Sequence, residues 1–290
     1  MKYPYLDLHT HTNRSDGVLS PQTVVDLARD SGVGILAITD HNRTMDLTEL
    51  RRDNLDIRLI QGAEVSCYYA DTTGKRKDVH VVALGFDPGN EEMKALLARN
   101  CPDRRPYIEA ILSRLRDNGI DVGTFEDIQR SAPESDHFGR LQVAKEMVRL
   151  GFVADTDEAY DEYLGAFGKR RAYVPNPLKY ATLEEAVPVI LAAGGVAVLA
   201  HLFYYQLSDE ENHILVRKFK ALAGDRGGME TEYASYTHEE RTRLRREFAE
   251  VYDLMPSAAS DFHDIEDGDT LANQFLQEDY GPLLEKLKGV

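Results

Sequence analysis

The segment Asp7-Leu8-His9-Thr10-His11-Thr12, followed by Ser15-Asp16-Gly17, constrains this chain more than any other stretch. Leu6 and Leu8 read as a short strand starting almost at the N-terminus. Ser20-Pro21 then supplies an N-cap and an N1 proline for a helix, so two imidazoles and a carboxylate fall in the turn between. In extended backbone residues i and i+2 share a side, so His9 and His11 can reach one divalent cation together. An isolated HxH is more readily a pair of solvated loop histidines; the rest of the chain shifts the balance.

The same arrangement recurs: an apolar run, a residue of metal-ligand type, then a turn or helix. Residues 34–39 lead to Asp40-His41, 58–63 to Glu64, 196–200 to His201 and 257–260 to Asp261-Phe262-His263, while the strand at 78–85 carries His80 within it. Taken singly, His80 could be a satisfied core histidine, Glu64 a helix-start carboxylate and Asp261 an Asx-turn residue. Together, strands ending in imidazole or carboxylate describe the catalytic face of a parallel α/β barrel, where loops from separate strands converge on one pocket. Six imidazoles (His9, His11, His41, His80, His201, His263) and three carboxylates (Asp16, Glu64, Asp261) form a mixed N/O set. It suits Mn, Fe or Zn rather than Ca or Mg, and it is too large for one ion.

Order and spacing of these motifs (HxHT, SDG, TDH, a Glu after the third strand, a strand His, AH after a Gly-Gly strand, SDFH near the end) resemble the PHP (polymerase and histidinol phosphatase) family of metal-dependent phosphoesterases. The likeness is greatest to the branch acting on nucleoside 3',5'-bisphosphates and short RNA 5' ends. It implies a distorted (β/α)7 TIM-like barrel over residues 1–89 and 180–290, interrupted by a helical cap at 90–179 that sets substrate specificity. It also implies about three divalent ions per chain. His9, His11, Glu64 and Asp261 would hold the first; Glu64, as bridge, His80 and His201 the second; and Asp16, His41 and His263 the third. Glu64 and Asp261 would thereby hold a hydroxide, acidified by coordination, for in-line attack on phosphorus. Three dications outweigh three carboxylates by about three charges, and a phosphomonoester dianion is the natural guest.

Length and composition fit this reading. A chain of 290 residues accommodates one barrel with an insertion. The expected cap shows helical segments at 105–118, 124–131, 138–150 and 155–164 without convincing strands. Net charge is 34 minus 50, or −16, which argues against binding to long nucleic acid or an anionic membrane, so attraction for phosphate must be local. The longest apolar run, 187–202, is broken by Pro188 and Gly194-Gly195 and divides into a helix end, a turn and a strand rather than a membrane span. With no secretory signal visible and only Cys67 and Cys101, in no CxxC pattern, a reducing cytoplasm is the expected location. Oligomeric state is left open.

No GxSxG, Walker A or GxGxxG motif is present, so neither a serine nucleophile nor nucleotide as energy source is indicated. Substrate contacts are expected from the cap. The resemblance implies roles for Arg104 and for Gly139-Arg140, the start of a GRPH-type motif; His137 and Arg171 are further candidates. Here Leu141-Gln142 replaces Pro-His, and Leu202 replaces the proline that usually follows AH. The expected substrate is a nucleotide or short oligonucleotide, with the 3'-phosphate of a nucleoside 3',5'-bisphosphate first. A metabolite such as histidinol phosphate and a non-catalytic binding module are the alternatives. The arginines at 241, 243, 245 and 246, after the Thr237–Glu240 capping box, read as a solvated helix side.

Overall fold

The computed structural model describes residues 3–101, 103–132, 138–166, 168–170, 172–175, 179–265, 270–271 and 275–288. His137 and Arg171, expected to touch substrate, lie outside them. The chain divides into two units, Met1–Asn100 with Tyr180–Val290, and Cys101–Lys179. The helix Glu91–Asn100, expected at the start of the insertion, belongs to the first unit: Met93, Leu96 and Leu97 are buried in the apolar cluster that covers one side of the sheet.

Eight strands form one sheet: β1 (Tyr5–Asp7), β2 (Val33–Ile38), β3 (Arg58–Ala70), β4 (Arg76–Leu84), β5 (Ala181–Thr182), β6 (Val196–Leu199), β7 (Gly227–Tyr233) and β8 (Met255–Ala259). Their order is β1-β2-β3-β4-β6-β7-β8, with β5 beside β3. The two ends of that path meet: Leu8 N–H donates to Ala258 O at 3.1 Å, Asp261 N–H to His9 O at 2.9 Å, and Thr10 bridges Phe262. Closure of this kind removes both open edges, as a barrel requires.

Two expectations need correction. The strands are not all parallel, because β4 runs antiparallel to both β3 and β6. The cause is local. The turn between β3 and β4 is tight: Asp71 N–H donates to Lys75 O at 3.0 Å, the Asp71 carboxylate accepts from the N–H groups of Thr73 and Lys75 at 2.9 Å each, and Gly74 takes φ +81°. A turn this short returns the chain antiparallel, whereas a parallel neighbour needs a crossover of a dozen or more residues. Nor does the third strand stop before Glu64; it continues to Ala70 and carries Glu64 in its interior.

Alternation along the strands separates two cores. Ile35, Ala37, Ile60, Val82, Leu84, Val196 and Val198 pack in one cluster with Leu6, Ala258, Phe275, Tyr280 and Leu283. The opposite-parity residues Ala63, Val65, Cys67, Val79, Val81, Ala83, Ala197 and Leu199 pack under the helices Leu183–Ala192 and Asp209–Ala223. Glu64 shares parity with Ile60, and His80 with Val82 and Leu84, so the pleat aims both inward.

In the second unit, helices Arg105–Asp117, Phe125–Ser131, Arg140–Arg149 and Thr156–Ala159, the last continuing as a π turn over Tyr160–Leu164, surround their own apolar cluster. The first buries Tyr107, Ile108, Ile111, Leu112 and Leu115, a helical 3–4 spacing. No strand occurs in this unit among the described residues. No helix among the described residues is long and apolar enough to cross a membrane.

Candidate metal centre

The N-terminal HxH is held by its middle residue. Thr10 Oγ donates to Ala37 O at 2.8 Å, Thr10 N–H to Thr39 Oγ at 3.1 Å and Thr39 N–H to Thr10 O at 2.8 Å, so the two flanking imidazoles face the other way. The following loop is pinned by Asp40, which is 3 % exposed and accepts from Thr12 N–H at 2.8 Å, Thr12 Oγ at 2.8 Å and Ser15 Oγ at 2.7 Å. Gly17 allows the loop to fold back: a Cβ there would meet the backbone C and O of His11 at 2.8 Å.

His201 and Asp261 arrive differently. By strand alternation His201 would point away from the barrel interior, since Val196, Val198 and Ala200 share the opposite parity. Both residues adopt positive φ, +56° for Asp261 and +23° for His201, which turns the His201 side chain into the site. Left-handed backbone at non-glycine residues costs about 1–3 kcal/mol each and persists where surrounding structure enforces it.

All nine expected ligands come together in one connected cluster. The Nε2 atoms of His9 and His11 lie 3.0 Å apart. From Glu64 Oε2 they lie at 3.4 and 3.3 Å, and from Asp261 Oδ1 at 3.3 and 3.1 Å. Four atoms on a tetrahedral ion at about 2.0–2.2 Å would be separated by about 3.3–3.6 Å, so these edges are close to those of a coordination shell. The other Glu64 oxygen, Oε1, lies 2.7 Å from His80 Nδ1 and 3.0 Å from His201 Nε2. Asp16 lies 3.4 Å from His11 Nδ1, 3.4 Å from His41 Nε2 and 3.5 Å from His263 Nε2. Three groups with metal-ligand spacing result: His9, His11 and Glu64; His41, Glu64 and His80; and His11, Asp16, His41 and His263. His41 was expected with Asp16 and His263; its Nδ1 also reaches within 2.9 Å of Glu64 Oε2.

The donor chemistry fits cations. His41 Nδ1, His80 Nδ1 and Glu64 Oε2 are buried without a hydrogen-bonding partner even though His41 and His80 approach Glu64 within 3 Å. Close approach outside hydrogen-bond geometry is expected of atoms directed at a shared ion. Protons respond to the same demand. Burial alone would push the His11 imidazole down, but the neighbouring Asp261 and Glu64 carboxylates outweigh it and raise it to about 10. His9 is likewise raised despite its burial, by Glu64, Asp261 and Glu230. Burial opposes ionisation of Glu64 and Asp261, yet the surrounding imidazoles hold both well below the usual carboxylate range. His80, partly exposed at the side chain, is lowered by its desolvation. The cluster is thus a set of ionised carboxylates in need of positive charge.

Several supporting residues were not anticipated. Glu230, 1 % exposed, accepts from His9 Nδ1 at 2.7 Å and from the His201 N–H at 2.7 Å. Tyr233 Oη donates to Asp261 Oδ2 at 2.6 Å, and Tyr205 Oη accepts from the His80 N–H at 2.8 Å. Asn42, also at positive φ (+52°), joins Ser66 and Asn100 in a buried amide network behind His41. The charge surplus expected from three carboxylates is therefore smaller by Glu230. Cys67 is buried in the outer core, which pushes its thiol up, and takes no part.

The candidate substrate arginines are half-buried in the helical unit. Arg104 Nε donates to Phe138 O at 3.1 Å with its guanidinium 4.5 Å from the Tyr107 ring centre. Arg140 donates to Leu164 O at 3.2 Å and lies 5.7 and 5.5 Å from the rings of Tyr160 and Tyr173. Each guanidinium thus lies beside aromatic rings of the helical unit, Arg104 at Tyr107 and Arg140 at Tyr160 and Tyr173. Arg170 leans on Glu162 at 3.9 Å. The basic run after Thr237 is not merely solvated: Arg241 and Arg245 pair with Glu232, and Arg243 with Asp209 and Glu247.

Residues 7–175 match the PHP domain family. The chain is 36% identical over 265 residues to the 5'-3' exoribonuclease Rnm of Salmonella typhimurium, covering 89% of this chain and 84% of that protein. To the 3',5'-nucleoside bisphosphate phosphatase of Chromobacterium violaceum it is 32% identical over 260 residues, covering 89% and 87%. A solved structure from Bifidobacterium adolescentis, assigned as a metal-dependent phosphoesterase, superposes with a TM-score of 0.75 at 26% identity, covering 97% of this chain and 96% of that one. The chain belongs to the PHP family.

Proposed function

We propose that this chain removes the 3'-phosphate of nucleoside 3',5'-bisphosphates, with short 5'-phosphorylated RNA as a second substrate class. That it is a metal-dependent phosphoesterase follows from its family and relatives; the substrate and the three-ion stoichiometry are the proposal. Divalent ions at the three ligand groups would supply Lewis acidity, offsetting phosphoryl charge and making water a nucleophile near neutral pH. The protein's own residues orient that charge. Glu64 presents its two oxygens to different ligand groups, Asp261 closes the His9–His11 group, and Asp16 gathers His41 and His263. A dianionic monoester complements such a pocket in an acidic protein.

Arg104 beside Tyr107, and Arg140 beside Tyr160 and Tyr173, carry the nucleotide reading, because guanidinium groups beside aromatic rings suit a second phosphate and a planar base. The relative named for bisphosphate hydrolysis favours the monoester substrate, and those named exoribonuclease favour the RNA activity. A metabolite such as histidinol phosphate would use the same metal chemistry but not the second anchor. Free Cys67 and Cys101 fit a cytoplasmic setting.

The test compares kcat/KM for adenosine 3',5'-bisphosphate and 3'-AMP in wild type, Arg104→Ala and Arg140→Ala. Remote binding energy positions the reacting centre, so wild type should prefer the bisphosphate, and each substitution should cut that activity about ten- to a hundred-fold while changing 3'-AMP far less. Equal turnover of the two substrates by wild type, or a preference for histidinol phosphate, would remove the nucleotide assignment and leave the metal chemistry standing.

A further inference from the structure

The residue pairing of β7 with β8 slips between Glu230 and Glu232: Glu230 pairs with Ser257 and Glu232 with Ala258, two residues advancing against one. Thr231 is the extra residue, its hydroxyl buried without a partner. A bulge of this kind reverses strand parity. Without it, Glu230 and Tyr233 would face opposite sides of the sheet. With it, both reach the ligand cluster, Glu230 at His9 and His201 and Tyr233 at Asp261, while Glu232 turns to the other face and pairs with Arg241 and Arg245.

From this geometry we infer that Glu230 is a positioning residue that organises two ligand groups at once, and that the β7 bulge directly after it brings Tyr233 to the same face, where it holds Asp261. Each carboxylate oxygen has a distinct duty. Oε1 accepts from His9 Nδ1 at 2.7 Å, which keeps the proton on Nδ1 and leaves the Nε2 lone pair directed at His11, Glu64 and Asp261. Oε2 accepts from the His201 backbone N–H at 2.7 Å, holding the positive-φ turn that swings the His201 ring toward Glu64. Glutamine has one acceptor oxygen and must forfeit one of these two contacts. The inference rests on the metal reading of the site but not on the substrate.

Glu230→Gln is compared with Glu232→Gln, which removes the same charge from the same strand on the opposite face. The probe is Mn²⁺ alone, titrated into metal-free protein and read as free ion by electron paramagnetic resonance; imidazole ¹⁵N spectra report the His9 tautomer. Glu230→Gln should weaken the ions held by His9 and His201 about ten- to a hundred-fold, leave the ion of Asp16, His41 and His263 close to wild type, and disturb the His9 Nδ1–H signal. Glu232→Gln should match wild type in all three. Tyr233→Phe, which keeps ring packing, should weaken only the group containing Asp261 and reads the bulge should Glu230→Gln fail to fold. Wild-type affinities and tautomer in Glu230→Gln, or equal losses in Glu230→Gln and Glu232→Gln, would overturn the inference while sparing the metal site. A wild type that holds no Mn²⁺ would overturn the metal reading and this inference with it.

Discussion

The ligand cluster has a buried end and an open end. His9, His11 and Glu64 are fully buried, with Asp261 at 16 % side-chain exposure, and His9 and Asp261 are held from behind by Glu230 and Tyr233. At the other end Asp16 is 42 %, His263 29 % and His41 22 % exposed. Buried charges interact strongly and suffer most when unpaired, whereas exposed ones are relaxed by water. The buried end is thus the strongly coupled set of ligand groups, and the rim the more solvated one.

Glu64→Gln is the severest way to break this contrast, since both Glu64 oxygens serve ligand groups. Metal content at both groups should fall, with kcat/KM down by about a thousand-fold or more, by elemental analysis and steady-state kinetics. Cys67→Ser, three residues along the same strand but facing the outer core, should leave metal content unchanged. Equal effects would mean that Glu64 does not bridge. Asp261→Asn and Asp16→Asn come next. The first removes charge from the buried end and should cost about ten times more metal affinity than the second, at the rim. Isothermal titration with Mn²⁺ decides the ranking, and an inverted order would show that the exposed group is the tighter one.

Much of this was legible because metal ligation constrains residue type and spacing together. His9 and His11 separated by one residue, Asp40-His41 after an apolar run and Ala200-His201 after another announce themselves. Glu230 did not, because its strand, Gly-Gly-Met-Glu-Thr-Glu-Tyr, has too few apolar residues to read as one, and its bulge breaks the period-2 signal. The antiparallel β4 was missed for a related reason: the Asp71–Lys75 turn shows chain reversal only once Thr72-Thr73-Gly74 is weighed as a hairpin connection. In the helical unit the four helices followed from apolar spacing, but arginine chemistry carries no comparable spacing rule, so Arg104 and Arg140 rested on resemblance.

A smaller effect sharpens the contrast between the ends. Partial chelation of metal-loaded protein should remove the ion of Asp16, His41 and His263 first, lowering turnover while the buried groups keep theirs; metal content followed against activity during dialysis checks this. Loss of all ions together would show one cooperative site instead of two ends of unequal affinity.

The central claim is that nine side chains form a multinuclear centre rather than an unusually dense set of buried ion pairs. Anomalous scattering from crystals of Mn²⁺-loaded protein, with elemental analysis of the same sample, tests it most directly. The account predicts about three ions per chain, one among His9, His11, Glu64 and Asp261, one beside Glu64, His80 and His201, and a third, less fully occupied, among Asp16, His41 and His263. A single well-occupied ion with the remaining ligands left empty would contradict it.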